Sequence, residues 1–404
     1  MQTYTGKQYL QIDIANCYGL DKELFHNRIE WVDNHELQLE ALVDKAENPF
    51  EYLAAVMAYR DAQSSIPTGH MVSFDACASG LQIMAALTGC PITAENTGLT
   101  GKRRADIYSK CTGVMGGILG SEVEVKRPEV KKALMTRFYG SKDTPKRIFG
   151  EGTDEFNAFY KACEIVAPGA TELLDVLLAA WQPYALSHDW IMPDGFHVKV
   201  KVMTPVDTKV EVDELDHASF MYRHEINLGT ERGLSLAANT VHSCDGMVVR
   251  ELCRRCNYNL NTLIHTRNLL MNYIASTAPH DRTCVPLIEE YAMKSGFVSI
   301  VGIDHVNHAS IVDFGHPYLL KLYSLVDHVL EHKPFPVVTI HDAFKAHPNN
   351  INTVRQTYID IMAEIAESNM LEFMLSQIED KPVTIQKYSP DLGELIRDGE
   401  YALS

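Results

Sequence analysis

Val337-Val338-Thr339-Ile340 is a run of mostly β-branched residues that leads straight into His341-Asp342-Ala343-Phe344. Such a run favours extended backbone, so a strand is predicted over Pro336–Phe344, and it delivers a carboxylate beside apolar surroundings. Burying that charge is costly unless it is paired or binds a cation, so Asp342 reads as a candidate ligand. Far away in the chain, His70–Ala76 reads as a second short strand that ends at Asp75, followed by an apolar helix over Ser79–Thr88 that stops at Gly89 and Pro91. Taken alone, a strand-end acid such as Asp75 is more often a helix cap or turn former than a metal ligand.

A third segment bears on these two acids. Arg127-Pro128-Glu129-Val130-Lys131 continues through Met135 to Phe138-Tyr139-Gly140, with proline well placed for a first helical turn. Spacings of four put Arg127, Lys131, Met135 and Tyr139 on one side, so two cations on a rigid rod face the same way, with an aromatic one turn on. A surface basic helix would look the same. Beside two carboxylates from separate strands, however, such a rod suits a triphosphate and its base or sugar, and the set reads as a two-metal phosphoryl-transfer site.

Charge is distributed in the same sense. The 404 residues carry 53 acidic against 36 Lys and Arg side chains, a formal charge of −17, which excludes a generic basic nucleic-acid binder. Residues 101–147 nevertheless hold 12 Lys and Arg against 5 acids, a local +7 that leaves −24 elsewhere. Either a solvated helical face or a field aimed at a polyanion produces such a window. At 46% hydrophobic and 22% charged the composition is that of a globular protein, with length for two or three domains. Nine scattered cysteines argue against a disulfide framework and point to a reducing cytoplasm, and no apolar run approaches a membrane span.

Elsewhere, alternation around Pro193-Asp194-Gly195 predicts a hairpin over Trp190–Val202, and Val354, Tyr358, Ile361 and Ile365 mark one face of a helix. The mixture is α+β without regular βαβ alternation. Cys253-x-x-Cys256, with Cys244 and His242 nearby, lacks the second pair a zinc site requires and reads as structural. Gly113, Gly116, Gly117 and Gly120 form no P-loop, since no Gly-Lys-Ser/Thr follows, and suggest a mobile loop.

The order Asp75…Ser79-Gly80-Leu81-Gln82, then Arg127-x3-Lys131-x7-Tyr139-Gly140, then Ile340-His341-Asp342 resembles the motifs of the single-subunit RNA polymerases of bacteriophages and mitochondria. Ala15–Lys22 is similar to the segment leading into that family's palm, Trp190–Phe196 to its fingers hairpin, and Asp391–Ser404 to its terminal foot. His242-Ser243-Cys244-Asp245-Gly246 with Arg250 resembles its HSxDGxxxR helix. The resemblance implies a right-hand polymerase palm and fingers, lacking the N-terminal domain and thumb. Palm would occupy 1–95 and 241–404, fingers 96–240, with an insertion at about 257–335 and a C-terminal foot.

By the same resemblance, Asp75 and Asp342, with the Ala76 carbonyl, would hold two Mg²⁺ ions; Lys131 would contact and protonate the pyrophosphate, and Arg127 would neutralise phosphate charge. Related DNA polymerases place a glutamate where Gly80 stands, so Gly80 implies open room for a ribose 2′-OH, with Tyr139 and His242 assisting and Met135 on the nucleotide-binding face. A phosphate-facing lysine of the family is matched by Gln11. The expected activity is DNA-directed RNA synthesis from rNTPs on a DNA template, with RNA as product. A related DNA polymerase or primase-like enzyme, or a non-catalytic DNA-binding subunit, remains an alternative. With only 74 residues before Asp75, the chain most resembles the larger, catalytic subunit of a split, two-subunit podovirus enzyme. That implies a smaller subunit supplying thumb and N-terminal parts, an auxiliary single-stranded-DNA-binding factor, no membrane, and phage-encoded action in the cytoplasm of a bacterial host. The segment 257–335 holds His265, His280, His305, His308, His316, His328 and His332 in no standard ligand spacing, and reads as a docking element.

Overall fold

The computed structural model describes residues 1–120, 123–227, 234–276, 282 and 284–404. Helix α1 (Gly6–Ala15) starts at a capping box: the Thr5 side chain accepts from Gln8 N, and the Gln8 side chain accepts from Thr5 N. Helices α2 (Phe25–His35) and α3 (Pro49–Gln63) pack against α1, and the chain then enters β1 (Val72–Asp75). Helix α4 (Ser79–Thr88) follows as predicted and ends at Gly89, whose φ of 68° and close approach to Ser389 O, 2.8 Å from where a Cβ would stand, call for glycine. Pro91 then opens α5 (Pro91–Asn96).

Next come α6 (Ile107–Leu119), α7 (Arg127–Arg137), α8 (Asp143–Phe149), α9 (Asp154–Val166) and α10 (Pro168–Ala179). The glycine-rich segment expected as a mobile loop is part of α6, with Gly113, Gly116 and Gly117 inside it and Gly120 capping it at φ 85°. Asp106 caps its start, and Ile107, Cys111 and Met115 recur at spacings of four as a buried stripe, which outweighs the roughly 1 kcal/mol that each interior glycine costs.

The predicted hairpin forms from β2 (Ser187–Ile191) and β3 (His197–Lys201), antiparallel around Pro193-Asp194-Gly195. A second ribbon, β4 (Thr204–Val212) with β5 (Ala218–Ile226), follows. Helix α11 (Leu234–Cys256) leads into α12 (Leu260–Ser276), α13 (Leu287–Ser295) and α14 (His316–Val329). These last three close a hydrophobic core of their own, from Leu263 and Leu270 to Phe314, Leu319, Leu322 and Val326, distinct from the main one. Its neck is tied where Phe335 N donates to Cys256 O at 2.9 Å, and where buried Glu251 of α11 accepts from Ile300 N at 3.2 Å and Arg255 Nε at 3.1 Å. His280 lies outside the described residues. His265 meets His308 ring to ring at 5.5 Å, while His328 lies 3.3 Å from Asp360.

The strand expected over Pro336–Phe344 is instead two strands, β6 (Val338–Ile340) and β7 (Ala343–Ala346). Ile340 pairs with Ala343, leaving His341 and Asp342 as a two-residue turn with His341 at φ 57°. No glycine announces this turn. The strands form an antiparallel sheet in the order β1-β7-β6, with α15 (Ile351–Glu367) packed against β7, α16 (Met370–Ile378) against β2 and α13, and α17 (Leu392–Arg397) against α15. The predicted stripe Val354, Tyr358, Ile361 and Ile365 of α15 is buried.

Chain ends meet around buried Arg355 of α15, which donates to Tyr9 Oη (2.9 Å), Gln2 O (3.2 Å) and Glu400 O (2.8 Å) and stacks over Phe25. The last residues run beside the sheet: Ser404 N donates to Asp75 O at 3.0 Å, and Ala76 bridges to Leu403. Among the described residues no helix is long and apolar enough to cross a membrane.

Because the α12–α14 core is separate, Leu322→Ala should cost about 2–5 kcal/mol locally. Hydrogen exchange should accelerate across 260–330 while amides of α4 and α15 keep their protection; equal acceleration in both would contradict two cores.

Candidate active site

The two acids singled out in the sequence are neighbours through the sheet. β1 and β7 pair antiparallel with Asp75 opposite Ala343, and Ala76 N donates to Asp342 O at 3.2 Å. Burial, and then the charge of Asp342, raise the Asp75 carboxyl above its ordinary range. Directly after Asp75 the chain turns sharply, with Ala78 at φ 58°, an uncommon conformation for a residue with a Cβ, so that α4 begins within four residues. This turn sets Ser79 and Gly80 against the site.

Ser79 Oγ donates to Asp245 Oδ2 at 3.4 Å. Asp245 is a third acid, within the His242–Gly246 motif on α11. Burial first, and the charge of Asp342 second, push its pKa up to about 7. Gly80 faces Tyr139: a Cβ there would lie 2.6 Å from Tyr139 Oη, 3.2 Å from Cζ and 3.4 Å from Val241 Cγ1. The space beside Gly80, expected to stand open, is filled by the tyrosine hydroxyl. Tyr139 also lies past the end of α7, in the turn after Phe138 rather than on the helix, and its ring packs on His242 at 4.9 Å. Burial raises the Tyr139 phenol to about 12, helped by the charges of Asp245 and Asp342.

Helix α7, with Pro128 in its first turn, contributes to the same cavity as the carboxylates. Asp75, Ala76, Gly80, Arg127, Lys131, Met135, Tyr139 and Asp342 line one cavity of about 610 Å³. His242 is not among the lining residues and meets the cavity through Tyr139. Gln11 is buried and donates to Asp33 at 2.5 Å instead of facing this space. Sequence reasoning missed Asp106, which holds Arg127 at 2.6 Å, although an acid immediately before a helix is a recognisable cap. It also missed the pair of buried Asp13 and partly buried His70 (2.8 Å) and Lys345, which line the same cavity.

The two remaining motifs brace each other. Asp194 of the β2–β3 turn is buried and accepts from Arg250 Nε at 2.6 Å and Arg254 Nη1 at 3.2 Å, while Trp190 Nε1 donates to Ser243 Oγ at 3.3 Å. Cys244 and Cys256 are buried against Met374 and Thr357 respectively.

Two carboxylates and a backbone carbonyl are hard oxygen donors of the kind magnesium takes, and a divalent cation would offset the charge of Asp342 that, after burial, raises Asp75. The cluster of three potential ligand side chains found among the described residues lies elsewhere, at the exposed tip of the β4–β5 ribbon (Glu211, Asp213, His217). Surface acids of this kind are common without a metal.

Comparison with known proteins finds similarity over part of the chain. Residues 2–147 match the family described as DNA-dependent RNA polymerase, a stretch that includes Asp75, Gly80, Arg127, Lys131, Met135 and Tyr139 and stops short of His242 and Asp342. Among curated relatives, the DNA-directed RNA polymerase of Pseudomonas phage phiKMV is 28% identical over 172 residues, 34% of this chain and 21% of that protein. The mitochondrial DNA-directed RNA polymerase of Schizosaccharomyces pombe is 27% identical over 163 residues, 33% of this chain and 14% of that protein. The similarity thus spans about a fifth and a seventh of the length of these relatives.

Two outcomes follow from this geometry. Gly80→Ala should destabilise the chain by about 1–3 kcal/mol through overpacking against Tyr139, and Tyr139→Phe in the same chain should recover much of it, as read from urea unfolding in a double-mutant cycle. Asp245, with its folded pKa raised toward 7, stays protonated where the unfolded chain has already ionised it. Its contribution is therefore fully present below the ordinary carboxyl range and is lost as pH rises to about 7. Asp245→Asn should flatten the fall in stability of the metal-free chain between pH 4 and pH 8, each tenfold difference in proton affinity between the folded and unfolded carboxyl being worth about 1.4 kcal/mol. Identical pH profiles would refute the burial argument.

Proposed function

We propose that the protein is the catalytic chain of a DNA-directed RNA polymerase, adding rNTPs to an RNA 3′ end by nucleotidyl transfer on a DNA template. The observation that carries this reading is the juxtaposition of Asp75, at the end of β1, and Asp342, in the turn before β7, in one cavity with Arg127 and Lys131. In it, residues 1–95 and 241–404 form the palm, 96–240 the fingers, and 257–335 an insertion.

Asp75, Asp342 and the Ala76 carbonyl would hold two Mg²⁺ ions. Bound there, the metals supply a lowered pKa for the attacking 3′ hydroxyl and charge neutralisation at the leaving oxygen. The chain's own groups do the rest. Lys131 binds the triphosphate and supplies a proton to departing pyrophosphate; Arg127 offsets the negative charge that accumulates on the phosphates as the bond breaks. Met135 and Tyr139 form the surface for base and sugar. His242 packs on the Tyr139 ring and holds it beside Gly80, where its hydroxyl lies within reach of a ribose 2′-OH.

Template DNA, product RNA and rNTPs are the proposed ligands. A smaller polymerase subunit and an auxiliary single-stranded-DNA-binding factor belong to the same reading, as does a setting in the cytoplasm of a phage-infected bacterium, and of these the phage relative supports the setting alone.

The test is primer extension on a primed DNA template with the chain and whatever subunit co-purifies with it. Incorporation of rNTPs in preference to dNTPs is expected, with loss by orders of magnitude in Asp75→Asn and Asp342→Asn and by about 10²–10³ in Lys131→Ala. Undiminished incorporation in both aspartate variants would exclude the assignment, and equal use of dNTPs would exclude ribonucleotide selection.

A further inference from the structure

Arg127 and Lys131 do not face the cavity unaided. At the start of α6, Arg127 meets Asp106 and Tyr108, and Lys131 meets Tyr108. Asp106 Oδ1 caps that helix, accepting from Tyr108 N at 3.0 Å and Ser109 N at 3.2 Å. Its other oxygen, Oδ2, accepts from Arg127 Nη2 at 2.6 Å, Arg127 Nε at 3.0 Å and Ser109 Oγ at 2.8 Å. Ser109 Oγ accepts in turn from Arg127 Nε at 2.9 Å. Two of the three guanidinium nitrogens are thereby fixed, and Nη1 has no protein acceptor among the described residues. Two residues on, the Tyr108 ring lies under both cations: its centroid is 5.7 Å from Arg127 Cζ and 5.6 Å from Lys131 Nζ. Asp106, Tyr108, Arg127 and Lys131 line the same cavity.

This arrangement is more than charge balance. An arginine at a cavity wall has many rotamers, and most of them aim its donors elsewhere. Gripping Nε and Nη2 from behind selects one orientation and leaves the remaining edge for an anion, while one aromatic face under both cations fixes their separation. Burial works to raise the Asp106 carboxyl, but hydrogen bonds from Ser109 and Arg127 hold it below its ordinary range, so the grip persists at neutral pH.

We propose that Asp106 and Tyr108 are positioning residues for the triphosphate: Asp106 orients Arg127 so that Nη1 receives a phosphate oxygen, and Tyr108 sets Arg127 and Lys131 at a common spacing. The proposal rests on the reading of α7 as the triphosphate wall.

The test is calorimetric titration of the full chain with inorganic tripolyphosphate, which needs neither template nor turnover. Asp106→Asn and Asp106→Ser both keep a residue that caps helices well, so α6 and the thermal midpoint should be retained while affinity falls about tenfold. Tyr108→Phe should bind as wild type, and Tyr108→Leu should bind more weakly. In an Arg127→Ala background, Asp106→Asn should change nothing further, because its effect runs through that arginine. A purely structural capping role would leave Asp106→Ser with wild-type affinity. If Asp106→Asn and Asp106→Ser bind as tightly as wild type or more tightly while Arg127→Ala loses binding, the positioning role is overturned and the triphosphate wall stands. If wild-type chain gives no binding, or Arg127→Ala and Lys131→Ala leave it intact, the wall itself is wrong and the positioning role falls with it.

Discussion

Two carboxylates are held next to each other by backbone hydrogen bonds, and that enforced repulsion organises the molecule. The pairing of β1 with β7 sets Asp75 opposite Ala343, with Asp342 one residue back in the turn. Like charges brought together resist approach, so something else must fix the backbone beneath them. The chain supplies it from its far ends. Ser404 N donates to Asp75 O, Arg355 ties Gln2, Tyr9 and Glu400 to α15, and Gln82 joins Thr97, Ala402 and Tyr358 under α4. Several of these contacts link residues separated by more than 300 positions, so the site depends on nearly the whole chain being folded.

Buried ion pairs form a second frame at the base of α11. Asp194 holds Arg250 and Arg254, and Glu251 with Glu364 holds Arg255. Such pairs add little net stability, since desolvation offsets much of their attraction, but breaking one leaves a bare buried charge. Their consequence here is directional. The arginines lock the β2–β3 turn and the neck of the α12–α14 unit to one helix, and that helix also carries His242 against Tyr139 and Asp245 behind Asp342. A shift in α11 would therefore be felt at both sides of the cavity.

Much of this was legible in the amino-acid order. Period and composition located β1, α4 with its stop at Gly89, the β2–β3 hairpin and the buried face of α15, because in each the local preference and the tertiary demand agree. The break between Ile340 and Ala343 was not legible: His341 adopts φ 57° without the glycine or asparagine that normally signals such a turn. Gly113, Gly116 and Gly117 misled in the other direction, since their helix is carried by a buried stripe that glycine counting ignores. At the site, residue types pointed to Asp75, Asp342, Arg127, Lys131 and Tyr139, but not to the partners that orient them. Asp106 is 21 residues from Arg127, and no spacing rule connects an acid in one helix cap to a cation at the start of the next helix.

The cavity is polarised, and this decides what class of ligand it can hold. Asp75 and Asp342 line it from the sheet, with Lys345 near them, and α7 contributes Arg127, held by Asp106 and Tyr108, and Lys131 over Tyr108. An anion alone is attracted to α7 and repelled by the sheet, and a cation alone meets the reverse. A ligand that is anionic toward α7 and brings a divalent cation toward the sheet satisfies both walls at once. A metal-complexed nucleoside triphosphate has that charge order along its length. Of the 12 Lys and Arg at 101–147, Arg104, Arg127 and Lys131 line this cavity, so part of the basic window of a chain of net charge −17 is spent beside its acids, where local potential and not net charge decides what is attracted.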